Sequence, residues 1–178
     1  CGDEDAYKRP CETTKRIDAN DLAAEMKREI ATALGEGDWF VGIADPFVVL
    51  GERGHHANRD EKAALDLAIG RVAGRHSEIE RVISAETLET KCGSTVEPLL
   101  RRVCHSYVKG AGDYFIVPKA GSFFDPYIVR GFGTSHGTPW AFDRTVPLFA
   151  RGPSVPKGTF TREARSFRLF SRLIGHWL

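Results

Sequence analysis

One histidine in this chain sits where an imidazole meets little steric hindrance. The stretch Gly131-Phe132-Gly133-Thr134-Ser135-His136-Gly137-Thr138-Pro139-Trp140-Ala141-Phe142-Asp143-Arg144 holds His136 in a Gly/Ser/Thr loop. It then runs through a Pro-aromatic turn toward an apolar strand, Val146-Pro147-Leu148-Phe149-Ala150. Gly133 and Gly137 remove side-chain bulk on either side, so the ring can approach a metal ion or a substrate closely. A single histidine does not define a site. The same residues also suit a glycine-rich turn whose histidine hydrogen-bonds its own backbone, and on chemistry alone both readings stand.

The other residues able to do chemistry have plainer alternatives. His55-His56 could bind a metal, but adjacent histidines do not easily chelate one ion, and a solvated loop fits them better. Cys104 beside His105-Ser106 suggests nucleophilic chemistry, yet Cys104 falls on the apolar stripe of a helix, where packing explains it. His76 and His176 flank helix ends and suit contacts with the last carbonyls. Lys109 and Lys119 flank a strand and either meet a phosphate or are simply solvated. Trp140 and Phe142 either stack on a substrate group or bury the loop against the core. The cysteines Cys1, Cys11, Cys92 and Cys104 show no CxxC spacing, which argues against a zinc knuckle. Proximity suggests the pairs Cys1–Cys11 and Cys92–Cys104, an oxidising compartment and hence a periplasmic or extracellular location. Buried free thiols are the alternative.

The elements must position these groups on a chain of 178 residues, 42% hydrophobic, long enough for a real core. Lys and Arg number 25 against 24 for Asp and Glu, so no long-range field favours a nucleic acid polymer or an anionic membrane. No apolar run approaches the ~20 residues of a transmembrane span. The chain begins with Cys1 instead of Met, which reads as a removed leader or a piece of a longer polypeptide; Cys1-Gly2-Asp3 would suit the mature end of a lipid-anchored protein.

Residues 1–14 form an irregular leading segment. Lys15-Arg16-Ile17 is a short strand. Asp18 or Asn20 caps a helix with Leu22, Met26 and Ile30 on one face, ended by Gly35 and Gly37. Trp39-Phe40-Val41-Gly42-Ile43 and Phe47-Val48-Val49-Leu50 make a hairpin about Asp45-Pro46. Residues 51–59 read as a loop. Asp60 caps a second helix, carrying Leu65, Ala68, Ile69 and Val72 and stopped by Gly74. Glu78-Ile79-Glu80-Arg81-Val82-Ile83 alternates as a strand. The order is β-α-β-β-α-β, so residues 15–90 are expected to form a ferredoxin-like α+β subdomain. Beyond a polar connection, Ser94 and Glu97 suggest a capping box for a helix with Val96, Leu99, Leu100 and Val103. Asp113-Tyr114-Phe115-Ile116-Val117-Pro118 is a strand, and Phe167, Phe170, Leu173, Ile174 and Trp177 mark a last amphipathic helix. The composition shift across residues 104–113 is the best internal boundary.

On the loop Gly133-Thr134-Ser135-His136-Gly137-Thr138-Pro139-Trp140, with Asp143 and Val146-Pro147-Leu148 after it, the chain resembles the C-terminal part of the alkaline phosphatase superfamily. The branch is that of the type I phosphodiesterases/nucleotide pyrophosphatases and PafA-like alkaline phosphatases. The likeness extends back through Gly112-Asp113-Tyr114-Phe115-Ile116-Val117-Pro118-Lys119. It covers Trp39-Phe40-Val41 and Asp45-Pro46-Phe47, and runs from about Thr13 to the end. The resemblance implies an α/β core, residues 91–178, with residues 15–90 as an inserted subdomain. It implies a zinc-dependent phosphate-ester hydrolase, phosphomonoesterase or phosphodiesterase, with two zinc ions and a small phosphate ester as substrate. His136 would be a ligand of one zinc. Asp143 would accept from its other ring N–H, and Gly133, Thr134, Gly137 and Trp140 would shape the loop. In the branch, the nucleophile and the remaining ligands lie N-terminal to the matched region, so the implied partner is the missing N-terminal half. Where members commonly read Asp-Ile-Ala-Pro-Thr before the closing helix, this chain has Arg165-Ser166-Phe167-Arg168-Leu169. The other reading is a non-catalytic interaction or regulatory α+β domain with a degenerate loop.

Overall fold

The computed structural model describes residues 16–125, 136–144, 151–153 and 158. Two units emerge, Cys1–Trp140 and Ala141–Leu178. The leading segment, the Cys1–Cys11 pair, the strand at 146–150 and the closing helix lie outside the described residues.

The first unit is mixed α/β. Strand β1 (Arg16–Ile17) leads into α1 (Ala19–Leu34), whose N-cap is Asp18; its carboxylate accepts from the backbone N–H groups of Asn20 and Asp21. Leu22, Met26 and Ile30 recur every fourth residue and are all buried. The hairpin forms as β2 (Phe40–Ala44) and β3 (Phe47–Leu50), turning at Asp45-Pro46. The expected loop after it contains a short helix, α2 (Glu52–His55). Helix α3 (Arg59–Arg75) is capped by Asn58, two residues before the expected Asp60. Asn58 accepts from the Asp60 and Glu61 amides while the Glu61 side chain accepts from the Asn58 amide. Gly74 does not stop this helix, which ends at His76. Strand β4 (Ile79–Ser84) is followed by α4 (Ala85–Lys91), where the sequence suggested only a polar connection. The expected Ser94/Glu97 capping box is absent. Helix α5 (Pro98–Cys104) has Glu97 at its N-cap without a side-chain cap bond and Pro98 in its first turn; Val96, expected on its apolar stripe, precedes the helix and is 89% exposed.

The chain then forms β5 (Tyr114–Pro118) and β6 (Phe123–Phe124). The sheet topology departs from the ferredoxin-like expectation. The four-stranded antiparallel sheet has the order β2-β3-β5-β4, so β5 occupies the inner position expected for β1. Strand β1 pairs instead with β6, in parallel, Arg16 opposite Phe123 and Ile17 opposite Phe124. The reason is legible in burial. All five residues of β5 are buried, which only a strand covered on both faces allows. Tyr114 and Ile116 point into one core with Leu22, Met26, Ile30, Leu65, Ile69 and Val72 of α1 and α3. Phe115 and Val117 point into a second core with Leu88, Leu99, Leu100 and Val103 of α4 and α5. A two-residue strand with one buried side chain has too little apolar surface to hold that central place. The second core is stapled by the Cys92–Cys104 disulfide, so the pairing suggested by proximity is the one formed.

The second unit, in its described part, contains α6 (Ala141–Arg144).

Candidate functional site

The His136 loop is held to the first unit by two buried residues and a hydrogen bond. Thr138 and Pro139 are buried, and Trp140 packs against the α4/α5 core. The Trp140 indole N–H donates to the Pro118 carbonyl at 2.8 Å, and the Arg102 guanidinium lies 5.3 Å from the ring centroid. Trp140 is thus committed to anchoring the loop on the end of β5. Gly137 has φ +97°, a conformation that strains any residue with a Cβ, so glycine is required there for the backbone bend. His136 and Gly137 are exposed just before the buried Thr138-Pro139 pair.

His136 lines a cleft of about 200 Å³ together with Asp45, Pro46, Pro118, Phe123, Phe124, Gly137 and Thr138. Three separate pieces of chain therefore converge: the β2–β3 turn, the β5–β6 segment and the histidine loop. Asp45 is exposed as a residue, yet loss of water around its carboxyl pushes its pKa above the ordinary 3.8, and attraction to His136 pulls partway back. Sequence reasoning passed over Asp45 as a turn former before proline. The signal was present in Asp45-Pro46-Phe47, but nothing local said that the hairpin tip would reach residue 136.

The other candidates are distributed as follows. Gly133 and Thr134 lie outside the described residues. Asp143, expected to orient His136, is on α6 in the second unit. Phe142, in the same helix, is 59% exposed. Cys104 is tied up in the disulfide and has no free thiol for nucleophilic chemistry. His55 is not simply solvated: its Nε2 lies 3.1 Å from both carboxylate oxygens of Asp113, while the His56 Nδ1 meets the Glu52 carbonyl at 2.9 Å. Asp113 also accepts from the Leu50 amide at 2.7 Å, so it clamps the end of β3 to α2 and to the start of β5. At the end of α3, His76 bridges Glu78 (3.1 Å) and Glu25 (3.3 Å). Lys109 pairs with Glu89 at 3.1 Å. Among the described residues, no group of three His, Cys, Asp or Glu side chains is placed to hold a metal ion. No helix among them is long and apolar enough to cross a membrane.

Comparison with family models, with curated proteins and with solved structures returns no match to this chain.

Proposed function

We propose that this chain is the C-terminal portion of a zinc-dependent phosphate-ester hydrolase of the alkaline phosphatase superfamily, with His136 as its metal ligand. The observation that supports this most is the placement of His136: exposed at the mouth of a cleft, on a loop anchored by Trp140, with the Asp45 carboxylate brought to the same cleft from a distant hairpin. A turn histidine bonded to its own backbone has no need of that convergence. An imidazole and a carboxylate lining one cleft are two ligand types that zinc takes, short of the four that a zinc site uses. When bound, zinc would polarise a phosphoryl oxygen and stabilise charge on an oxygen of an in-line displacement.

The chain's own residues then have separate tasks. His136 offers a ring nitrogen to the ion. Asp45 adds a negative charge that favours a cation in the cleft. Trp140 and Gly137 fix where the ring sits, and Pro46, Pro118, Phe123 and Phe124 keep water from one side. The remaining ligands and the nucleophile come, in this reading, from the N-terminal half of the domain. The described disulfide supports a periplasmic or extracellular location for the assembled enzyme.

Zinc titration of wild type and His136→Ala, each co-expressed with the N-terminal half, tests the role. We expect at least a tenfold weaker zinc affinity in the variant, since even residues supporting a ligand typically contribute about 10–100-fold. Equal zinc content would take His136 out of the site. The second reading, a non-catalytic interaction domain, draws on the lack of a three-residue metal cluster among the described residues.

A further inference from the structure

Two elements meet at Trp140, and one of them brings a positive charge. The indole N–H donates to the Pro118 carbonyl at the end of β5, and the ring packs on the smaller core with Leu99, Leu100 and Val103 of α5. Over the ring lies the Arg102 guanidinium of the same helix, 5.3 Å from the centroid and within the range of a cation–π attraction.

Arg102 differs from nearby cations in what it pairs with. Arg81 takes Glu97 at 2.8 Å and Lys109 takes Glu89 at 3.1 Å, each a carboxylate. Among the described residues no carboxylate pairs with Arg102, whose Nε instead donates to the Pro98 carbonyl one turn back, at 3.1 Å. The side chain is half-buried, so water screens its charge only in part. A planar, weakly hydrated guanidinium is the cation best suited to lie on an aromatic face. The end of its helix is in turn tied down by the Cys92–Cys104 bond.

Trp140 follows His136 by four residues, and the buried Thr138-Pro139 pair takes up the chain between them. A ring fixed at residue 140 therefore limits where residue 136 can go. Resting on the reading of His136 as a zinc ligand, we propose that Arg102 is a positioning residue for His136: it holds the Trp140 ring against the end of β5 and so keeps the histidine loop where the imidazole is presented. Arg102 touches neither ion nor substrate and acts through Trp140 alone. Molecules whose loop has come loose do not offer the ligand, and apparent affinity falls with the fraction that remains anchored.

The test uses the 178-residue chain labelled with nitrogen-15 and follows hydrogen exchange of the Trp140 indole N–H by NMR, its signal identified with Trp140→Phe. Arg102→Met keeps the length and the apolar stem and removes the charge. Loss of one cation–π attraction at a partly exposed site should raise the released population, and with it the indole exchange rate, about two- to fivefold. Arg102→Lys keeps a cation over the ring and should exchange within about twofold of wild type. The His136 ring-proton signals should shift in the Met variant and stay near their wild-type positions in the Lys variant. Amide exchange at Leu99 and Val103 should match wild type in both, showing that α5 is intact. Wild-type indole exchange in Arg102→Met would mean that the stem only packs, and would overturn the proposal. So would equally fast exchange in Arg102→Lys, or His136 signals that do not move when the indole is released. Every one of these measurements is made without zinc, so their failure is distinct from equal zinc content in His136→Ala.

Discussion

Asp45 and Glu78 are carboxyls that the fold pushes in opposite directions. Burial works against the charge on Glu78, but the hydrogen bond and attraction from His76, with help from its own amide and Ser77, hold its pKa below the ordinary 4.5. Stability contributed by a carboxyl of this kind is complete above that ordinary value and drains away as pH falls through the lowered one. Asp45 has the reverse sign. Desolvation raises it above 3.8 despite His136, so its ionisation costs the folded state something at neutral pH, and the cost disappears in acid where it is protonated in both states. Urea unfolding of Asp45→Asn and Glu78→Gln against pH should therefore diverge. At pH 7 the Asp45 variant should be as stable as wild type or more so, and the Glu78 variant less. Below the ordinary value of each carboxyl, both differences should shrink toward zero. A loss of stability in Asp45→Asn at pH 7 would show that the residue serves the fold. A carboxylate kept at a cost beside a cleft is the pattern of a group retained for function.

At the scale of elements, the four-stranded sheet depends on what Asp113 holds. Its carboxylate takes the Leu50 amide and the His55 ring, its amide donates to the Val48 carbonyl at 2.8 Å, and its carbonyl receives the Ala85 amide at 2.7 Å. Gly112, just before it, lies so close to β3 that an added Cβ would come within 2.5 Å of the Phe47 Cβ, so the chain must pass without a side chain. Asp113→Ala leaves the Leu50 donor without its acceptor and should cost about 1–3 kcal/mol, measured as a lowered urea midpoint with an unchanged slope. Much of this architecture was legible in the sequence. The Leu22-Met26-Ile30 spacing marks α1, and the apolar run at 47–50 marks β3, because periodicity reports directly on which face is covered. Partners were not legible. Nothing in Tyr114-Phe115-Ile116-Val117 says which strands flank it, and the brevity of Arg16-Ile17 does not reveal that its mate is Phe123-Phe124. Helix α4 escaped notice because a seven-residue helix with one buried side chain, Leu88, shows no period. The same limit hid Asp45: local signals describe a turn, while its meeting with His136 is set by sheet order.

For the whole molecule, the two cores on opposite faces of the sheet are unequal in size and in how they are secured. The smaller, under α4 and α5, closes around the bond between Cys92 and Cys104, which are 12 residues apart. A cross-link over a loop of that length restricts the unfolded chain by about 3 kcal/mol in the entropic account. Replacing both cysteines with alanine should lower stability by about 2–3 kcal/mol. The loss should show first as faster amide exchange in α5, followed by release of Trp140 and the histidine loop that rests on the same core. If exchange in α5 and the fluorescence of Trp140 were unaffected, that core would not need its staple.

The central position of β5 has a consequence for modularity. A polypeptide ending at the apparent ferredoxin-like boundary would carry α1, α2, α3 and three of the four strands of that sheet, yet leave an unfilled slot between β3 and β4, with two rows of bare amides and carbonyls facing each other. The α+β portion is therefore not a cassette that can be excised, transplanted into a chimera or lost in evolution while the histidine loop stays in place. Whatever reshapes that sheet reshapes the ground on which residue 136 stands.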